Sequence, residues 1–287
     1  MLYDFGAVTV IYRIPIEGPF EGLLGLSEAL YENDTLRTES RRRLEQLVRD
    51  IYPAVERPTV SNDVEDYLLF AIERYAPSDI DTFGSQYEHL FARVLRSEAT
   101  PLSDQEIREA TSCRIAFGRD DLAFIDWNAA LVFGQDMDDV RAVLEFVNVE
   151  LLEMRTLDQQ LDRAMDEGYE ALRHRPRRKL WLPGSHERAV SHIGQLQVES
   201  AVLFERVANT LKLLGDQYLA RVYRLTSQRF HLDAWDASIL RKLQTLDSIY
   251  GKMADRATTQ RMEYLEWIII VLIALSMVLS FLPSAGH

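Results

Sequence analysis

Apolar residues follow two different spacings along this chain, and the change falls near residue 135. Before that point, short runs of β-branched and aromatic residues alternate with short amphipathic stretches, which is typical of strands interleaved with helices. After it, apolar residues recur every three or four positions over long stretches, which predicts long helices. An uncharged apolar run over residues 267–282 lies near the C-terminus. The pattern therefore predicts an α+β domain, then a long-helix region, then an apolar terminal helix.

The first part, residues 1–135, is predicted to be an α+β domain. Asp34 is a favourable N-cap residue before the helical spacing of Leu36, Leu44 and Leu47. Turn residues at 118–121 separate two apolar runs, which predicts a hairpin. The expected strands are 5–16, 64–72, 111–117 and 122–133, and the expected helices are 20–31, 35–51 and 81–95. Because strands and helices alternate and a hairpin ends the series, we expect a small, mainly antiparallel sheet.

The second part, residues 136–264, is predicted to be a helical, coiled-coil region. We expect helices over 136–173 and 186–230, the latter interrupted at Gly215, and a third helix that begins near Asp233 or Asp236. The third helix carries a 4-3 spacing typical of a coiled-coil seam. The seam residues are Ile239, Leu243, Leu246, Tyr250, Met253, Ala257, Gln260 and Tyr264. The seam packs either on the chain's own helices or on other subunits; we expect both, which makes the protein a homo-oligomer.

The terminal apolar run is interpreted as a transmembrane helix over residues 265–282, followed by a short translocated tail, 283–287. A helix over 267–282 is roughly 24 Å long, against a hydrocarbon core of about 30 Å. The residues expected in lipid are Trp267, Ile268, Ile269, Ile270, Val271, Leu272, Ile273, Leu275, Met277, Val278, Leu279, Phe281 and Leu282. The alternative is a buried core helix, although such a helix normally keeps a polar stripe.

Basic residues flank the run on one side only. Lys252, Arg256 and Arg261 precede it, and no Lys or Arg follows it. The positive-inside rule therefore places the body in the cytoplasm and the C-terminus across the membrane. Membrane lipid is the first expected partner.

Composition and motifs argue against most enzyme classes. The formal charge is -13, so the body as a whole is not expected to bind DNA or other nucleic acid. Cys113 is the only cysteine and lies in an alternating apolar segment, which favours a buried thiol over a nucleophile. The histidines do not follow metal-ligand spacings, and no nucleotide-binding or nucleophile motif is present. We therefore expect no catalytic residues, no cofactor and no metal.

Two basic patches remain. Arg173, Arg175, Arg177, Arg178 and Lys179 form an anionic-partner patch, suited to lipid headgroups or to the phosphates of ribosomal RNA. The alternative is a solvated loop that pairs with neighbouring acids. Residues 41–43, three consecutive arginines, are interpreted as a solvated helix face.

Four segments of the chain resemble the "required for meiotic nuclear division" family, also called domain of unknown function 155. They are residues 3–10, 188–196 with an Ile-Gly-Gln-Leu core, 213–223, and 261–273, where a Leu-Glu-Trp step enters an Ile-rich run. The resemblance implies a bacterial-type member in the inner membrane that self-associates and has no known enzymatic activity. Organellar relatives in that family are tied to translation at the inner membrane as ribosome anchors, which suggests the same role here.

The sequence thus predicts a non-enzymatic, tail-anchored scaffold that positions the translation machinery or another cytosolic protein at the membrane. One alternative is an enzyme with an unfamiliar site near Asp120, Asp126 or Glu73 in the α+β domain. Another is a lipid-sensing or membrane-remodelling assembly.

Overall fold

The computed structural model describes residues 1–3, 6–55, 60–74, 80–118, 121–135, 137–173 and 216–281, with single residues at 194, 196, 198, 201, 202 and 205. Within these ranges, the side chains of 80–83, 85, 171–173, 254–265 and 274–281 are not described. The chain divides into two compact units. Unit 1 comprises Met1–Thr156 and Leu203–Ala237, and unit 2 comprises Leu157–Val202 and Ser238–His287.

A four-stranded sheet forms the centre of unit 1. The strands are β1 (Leu68–Ile72), β2 (Arg114–Ile115), β3 (Leu122–Ile125) and β4 (Ala129–Phe133), arranged in the order β1-β4-β3-β2. β4 pairs with β1 in parallel and with β3 antiparallel, and β2 pairs antiparallel with β3. The small, mainly antiparallel sheet predicted from the sequence is therefore confirmed. Every residue of β3 and β4 is buried, as expected for strands covered on both faces.

Seven α-helices lie within the described part of the chain. They are α1 (Gly22–Leu30), α2 (Asp34–Asp50), α3 (Ile80–Arg96), α4 (Asp104–Thr111), α5 (Asp138–Arg173), α6 (Gln217–Arg229) and α7 (Leu232–Phe281). Side chains cap the backbone N–H groups at three starts: Asn33 for α2, Ser103 for α4 and Asp216 for α6. The cap of α2 is thus Asn33 and not Asp34. α4 was not predicted.

An aromatic cluster packs α1 and α3 against the sheet. The ring of Phe91 on α3 lies 5.1 Å from Phe20, 5.2 Å from Phe124 and 5.5 Å from Phe133. Phe91, Phe124 and Phe133 are almost fully buried, so this contact supplies much of the apolar burial of unit 1. The Ser27 hydroxyl of α1 donates a 2.7 Å hydrogen bond to the Val94 carbonyl of α3.

Unit 2 contains the end of α5 and most of α7. Its buried side chains are Leu157, Leu161, Ala164, Leu196, Ile239, Leu246, Ile249 and Tyr250. Lys242 of α7 pairs with Asp158 at 2.7 Å and with Asp162 at 2.6 Å, both on α5. The helices approach closely at Gly168, where an added methyl group would lie 2.8 Å from Ile249 Cγ2. The small residue therefore permits this distance between the helices.

The predicted first strand is wrong. Leu2 and Val8 form a single antiparallel bridge, and residues 9–17 take no regular structure. Ile11, Ile14 and Ile16 are exposed, while the Tyr12 hydroxyl lies 3.1 Å from the Ser40 hydroxyl of α2. A side-chain contact therefore holds the segment against a helix. Its β-branched residues favour an extended backbone, but such a preference does not by itself pair the segment with a sheet.

The predicted transmembrane helix over 265–282 is also wrong. No helix in the described portion of the chain combines the length and the apolar character that a membrane crossing needs. Three other predictions depended on this helix and are wrong for the same reason: the membrane anchor, the bacterial inner-membrane location and the translocated C-terminus. Leu275, Met277, Val278, Leu279, Phe281 and Leu282 have side chains outside the described set.

Substitution of Gly168 by Ala tests the packing of unit 2. The new methyl group meets a β-branched side chain that cannot rotate away, so we expect Gly168→Ala to lower the free energy of unfolding by about 1–3 kcal/mol. Gly251→Ala in α7 is the matched control, because nothing lies within 4 Å of its Cβ position. It should raise stability by about 0.5–1 kcal/mol. Urea unfolding followed by circular dichroism measures both; equal effects would contradict the close approach.

Candidate functional site

A fully buried carboxylate, Asp126, occupies the turn between β3 and β4. Its side chain is 0% exposed. The Asp126 N–H donates to the Ala129 carbonyl at 2.9 Å, and Oδ1 accepts the Trp127 N–H at 2.8 Å. The Asp126 carbonyl accepts the Tyr67 hydroxyl at 3.1 Å. The turn is therefore built around the aspartate, and a charge placed there needs cations nearby.

Two arginines supply those cations, each from the last residue of a helix. Arg229 of α6 donates to Asp126 Oδ1 through Nη2 and, at 2.9 Å, through Nε. Its Nη1 donates to Glu109 Oε1 of α4 at 2.7 Å. Arg96 of α3 lies on the other oxygen, with Nε 2.6 Å from Oδ2. This second contact is an ion pair without hydrogen-bond alignment. We call these residues the ion-pair centre: Arg96, Glu109, Asp126 and Arg229.

The charges of the ion-pair centre reinforce one another. Burial disfavours the charged guanidinium of Arg229, but the hydrogen bonds to Asp126 and then to Glu109 outweigh it, so the pKa of Arg229 is raised. The hydrogen bond from Arg229 lowers the pKa of the exposed Glu109 carboxyl. Arg229 is only 9% exposed, so its pairing takes place away from bulk solvent.

Aromatic rings cover the ion-pair centre and include the junction between α6 and α7. Trp127 stacks on Phe230 with centroids 6.0 Å apart and lies 5.3 Å from His231. The ring of Tyr67 meets Phe230 edge-on at 5.8 Å. Phe230 is fully buried, and His231 has a φ of 50°, in the left-handed region. The chain thus turns sharply from α6 into α7 directly over the β3–β4 turn.

Cys113 lies close to this region and is a structural residue. Its side chain is buried, and Sγ is 3.7 Å from the Leu225 carbonyl of α6. Burial raises the pKa of the thiol to about 11. Because the thiolate is the nucleophile, this environment suppresses its reactivity. The prediction that Cys113 is buried is confirmed.

A second buried acid, Glu150 of α5, pairs with no arginine or lysine among the described residues. It is 3% exposed, and both of its oxygens accept the Tyr223 hydroxyl of α6, at 3.2 and 2.9 Å. Burial raises the pKa of Glu150 to about 7. Asp236 on α7 is half-buried, and burial followed by the charge of Asp233 raises its pKa to about 6. We call Glu150, Tyr223, Asp233 and Asp236 the acid cluster.

The acidic side chains of unit 1 are engaged in different ways. Both oxygens of Asp126 are engaged by arginines. Among the residues that the structure describes, no three His, Cys, Asp or Glu side chains are grouped to hold a metal ion. Asp121 accepts the N–H groups of Phe117 and Gly118 and so stabilises the hairpin turn. Glu73 is exposed, and Asp120 lies outside the described residues.

The seam residues and basic patches are placed only in part. Ile239, Leu246 and Tyr250 are buried, and Leu243 and Met253 are half-buried. The structure does not describe the side chains of the other seam residues, Ala257, Gln260 and Tyr264. Of the anionic-partner patch, it describes the backbone of Arg173 but not its side chain. The rest of that patch lies outside the described residues: Arg175, Arg177, Arg178 and Lys179. The arginines at 41–43 are exposed and pair with Glu39 and Glu45 of their own helix.

Sequence reasoning missed the partners of Asp126. Asp126 was named only as one acid of a hypothetical enzyme pocket, and Arg96, Arg229 and Glu150 were not singled out. One feature of the sequence could have indicated the site: Asp126 lies between two apolar runs, 122–125 and 129–133. A charge in such a position predicts a buried ion pair, although its partners are distant in sequence.

Fold and site together define a class: an α+β domain with a buried ion-pair centre, continued by long helices. A family model described as the N-terminal domain of the uncharacterized protein MJ0711 matches residues 1–139. The uncharacterized protein MJ0711 of Methanocaldococcus jannaschii is 22% identical over 242 residues, which is 82% of this chain and 72% of that protein. No solved structure matches the chain.

The expected membership of the "required for meiotic nuclear division" family is therefore wrong. The matching family model is a different one, and the similar protein is archaeal, not a bacterial-type member of that family. Of the short motifs behind the resemblance, the one at 261–273 lies in α7, and apolar and charged residues recur at similar spacings in helices of unrelated proteins.

Removal of Arg229 tests the ion-pair centre. Arg229→Met leaves Asp126 buried with one poorly aligned cation, so we expect the free energy of unfolding to fall by about 3–5 kcal/mol. Arg42→Met removes an exposed helix pair and should change it by less than about 0.5 kcal/mol. Chemical denaturation measures both variants. A loss below about 1 kcal/mol for Arg229→Met would show that the pair is dispensable.

The thiol of Cys113 gives a second test. With its pKa raised to about 11, it should react with a disulfide reagent at pH 8 at least about 100-fold more slowly in the folded protein than after unfolding in urea. The absorbance of the released thiolate reports the rate. Equal rates in both states would contradict the buried placement.

Proposed function

We propose that this protein is a non-enzymatic scaffold that assembles from several copies of itself through α7. The observation that carries the proposal is the exposure of a continuous apolar stretch of that helix. Trp267, Ile268, Ile269, Ile270, Val271 and Leu272 are each 54–66% exposed. A helix that is apolar on all sides is normally buried, so water-exposed surface of this kind indicates an association site.

A second copy of the chain fits this stretch better than one flat partner surface. Exposed apolar side chains lie on every side of the helix, so several neighbouring helices are needed to cover them. Closed assemblies of identical subunits provide such neighbours, and they are the commonest way in which proteins oligomerise. Beyond the seam residues that are buried within the chain, the 4-3 spacing continues through Gln260, Tyr264, Trp267 and Val271, which suits parallel pairing of identical helices.

The chemistry of unit 1 supports the non-enzymatic part of the proposal. The oxygens of its fully buried carboxylate, Asp126, are occupied by arginines, and its cysteine is buried with a raised pKa. These groups hold helices and strands together and do not converge on an open site. The ribosomal partner came only from the family resemblance that is wrong, so it is not part of the proposal.

The oligomeric state of the full chain tests the proposal. We expect light scattering during size-exclusion chromatography to give a fixed multiple of the 33.1 kDa chain mass. Replacing Ile269 and Leu272 together by Ser removes apolar area from the exposed stretch and should shift the species toward the monomer.

Leu240→Ser is the matched control, because Leu240 is a 49% exposed leucine of the same helix outside the stretch. It should leave the oligomer mass unchanged. A monomeric wild-type chain would contradict the proposal, and so would a double variant that keeps the wild-type mass.

A further inference from the structure

The acid cluster joins three helices through groups that are all acidic or neutral. Glu150 of α5 is almost completely buried, and its hydrogen-bond donor is the Tyr223 hydroxyl of α6. That hydroxyl has one hydrogen, whereas an ionised carboxylate has about four acceptor sites. The ionised form of Glu150 is therefore poorly satisfied in this position.

The first turns of α7 bring further carboxylates toward Glu150. Asp233 and Asp236 both act on it through their charge. Oδ1 of Asp236 is buried and has no hydrogen-bond partner among the described residues. Among the described residues, the titratable groups that act on Glu150 are thus Tyr223 from α6 and two aspartates from α7.

The nearby cation on α5 is already engaged. Arg155 pairs with Glu65, and its guanidinium lies 6.0 Å from the centre of the Trp235 ring. The acid cluster therefore differs from the ion-pair centre, where two arginines neutralise one aspartate. Buried Glu150 and half-buried Asp236 also experience the charge of the exposed Asp233, so the three carboxyl groups cannot all be ionised without repulsion.

We propose that the acid cluster is a proton-operated latch: protonated Glu150 and Asp236 let the first turns of α7 pack on α5 and α6, and loss of those protons releases them. A neutral carboxyl donates a hydrogen bond and carries no charge, so it suits the buried position. Ionisation places like charges together, and separating the first turns of α7 readmits water and relieves the repulsion.

The direction of the pH effect follows from the pKa values. Burial raises the pKa of Glu150 from 4.5 to about 7, and that of Asp236 from 3.8 to about 6. For acids whose pKa is raised in the packed state, the stabilisation is complete below the unperturbed values. It is lost as the pH rises from about 4 to about 7, and the latch should be open above that range.

Hydrogen exchange of the full chain tests the latch. The amide exchange rates of peptides covering residues 230–237 are measured at pH 5.5 and pH 8.0. Each rate is divided by the intrinsic exchange rate at that pH, and the two ratios are compared. We expect protection to fall on the order of 10- to 100-fold at the higher pH. Peptides from the core of α3, around Phe91, serve as the internal reference and should keep their protection.

Substitutions separate the latch from a general effect of pH. The double variant Glu150→Gln, Asp236→Asn cannot ionise and should keep the same protection at both pH values. Glu170→Gln, at an exposed position of α5, should behave like the wild type. Tyr223→Phe removes the hydrogen bond that favours the ionised form of Glu150, so the midpoint of release should move to higher pH.

Three outcomes would overturn the proposal: equal protection of residues 230–237 at both pH values, a double variant that still loses protection at pH 8.0, or a Tyr223→Phe midpoint that is unchanged or lower. If the double variant does not fold, the direction of the Tyr223→Phe shift decides. Because the readout is local to these residues, it is independent of whether the chain self-associates.

Discussion

The buried charge of Asp126 is the constraint on which the architecture of unit 1 depends. A carboxylate with no exposure has to be neutralised by cations, and here they come from residues that are distant in the chain. Arg229 is 103 positions away from Asp126, and Arg96 ends α3, which lies between β1 and β2 in the chain. One side chain in a strand turn thereby pairs with the last residues of both α3 and α6.

Buried ion pairs of this kind contribute more to which structure forms than to its total stability, because desolvation offsets much of the attraction. The aromatic rings around the ion-pair centre likewise contribute to which structure forms. Trp127, Phe230 and His231 place the junction of α6 and α7 on the β3–β4 turn, and the left-handed conformation of His231 sets the direction in which α7 begins. The start of the long helix is therefore specified by the α+β domain.

The two buried acids of unit 1 have opposite environments. Asp126 is paired with two arginines, whereas the described neighbours of Glu150 are a tyrosine hydroxyl and other carboxyls. A carboxyl such as Glu150, with its pKa near 7, makes the neighbouring contact sensitive to protons. The first anchors α6, and the second controls how the next helix packs.

Local sequence signals predicted a large part of this fold. Periodic spacing gave α1, α2, α3 and α5, and the change at Gly215 and Asp216 marks the start of α6. The errors arose where local pattern and tertiary context diverge. Residues 9–17 have strand composition but contact a helix, and Asp126 divides a run that looked like one strand. The apolar terminal run was assigned to lipid from its composition, its length and its flanking charges.

The site was less predictable than the fold, because its members are joined only by tertiary structure. Nothing near Arg96 or Arg229 in the sequence indicates that both meet Asp126. Glu150 lies among the charged residues of a long amphipathic helix, and its burial depends on α6 packing over it. Periodicity shows which face of a helix is buried, but not which buried charge will find a partner.

A double-mutant cycle between Asp126 and Arg229 tests this account most directly. The unfolding free energies of Asp126→Asn, Arg229→Met and the double variant are compared with that of the wild type. If the pair fixes the α6–α7 junction, the two substitutions should be non-additive, with a coupling energy of about 2–3 kcal/mol. Effects that add within about 0.5 kcal/mol would show that the pair does not organise unit 1.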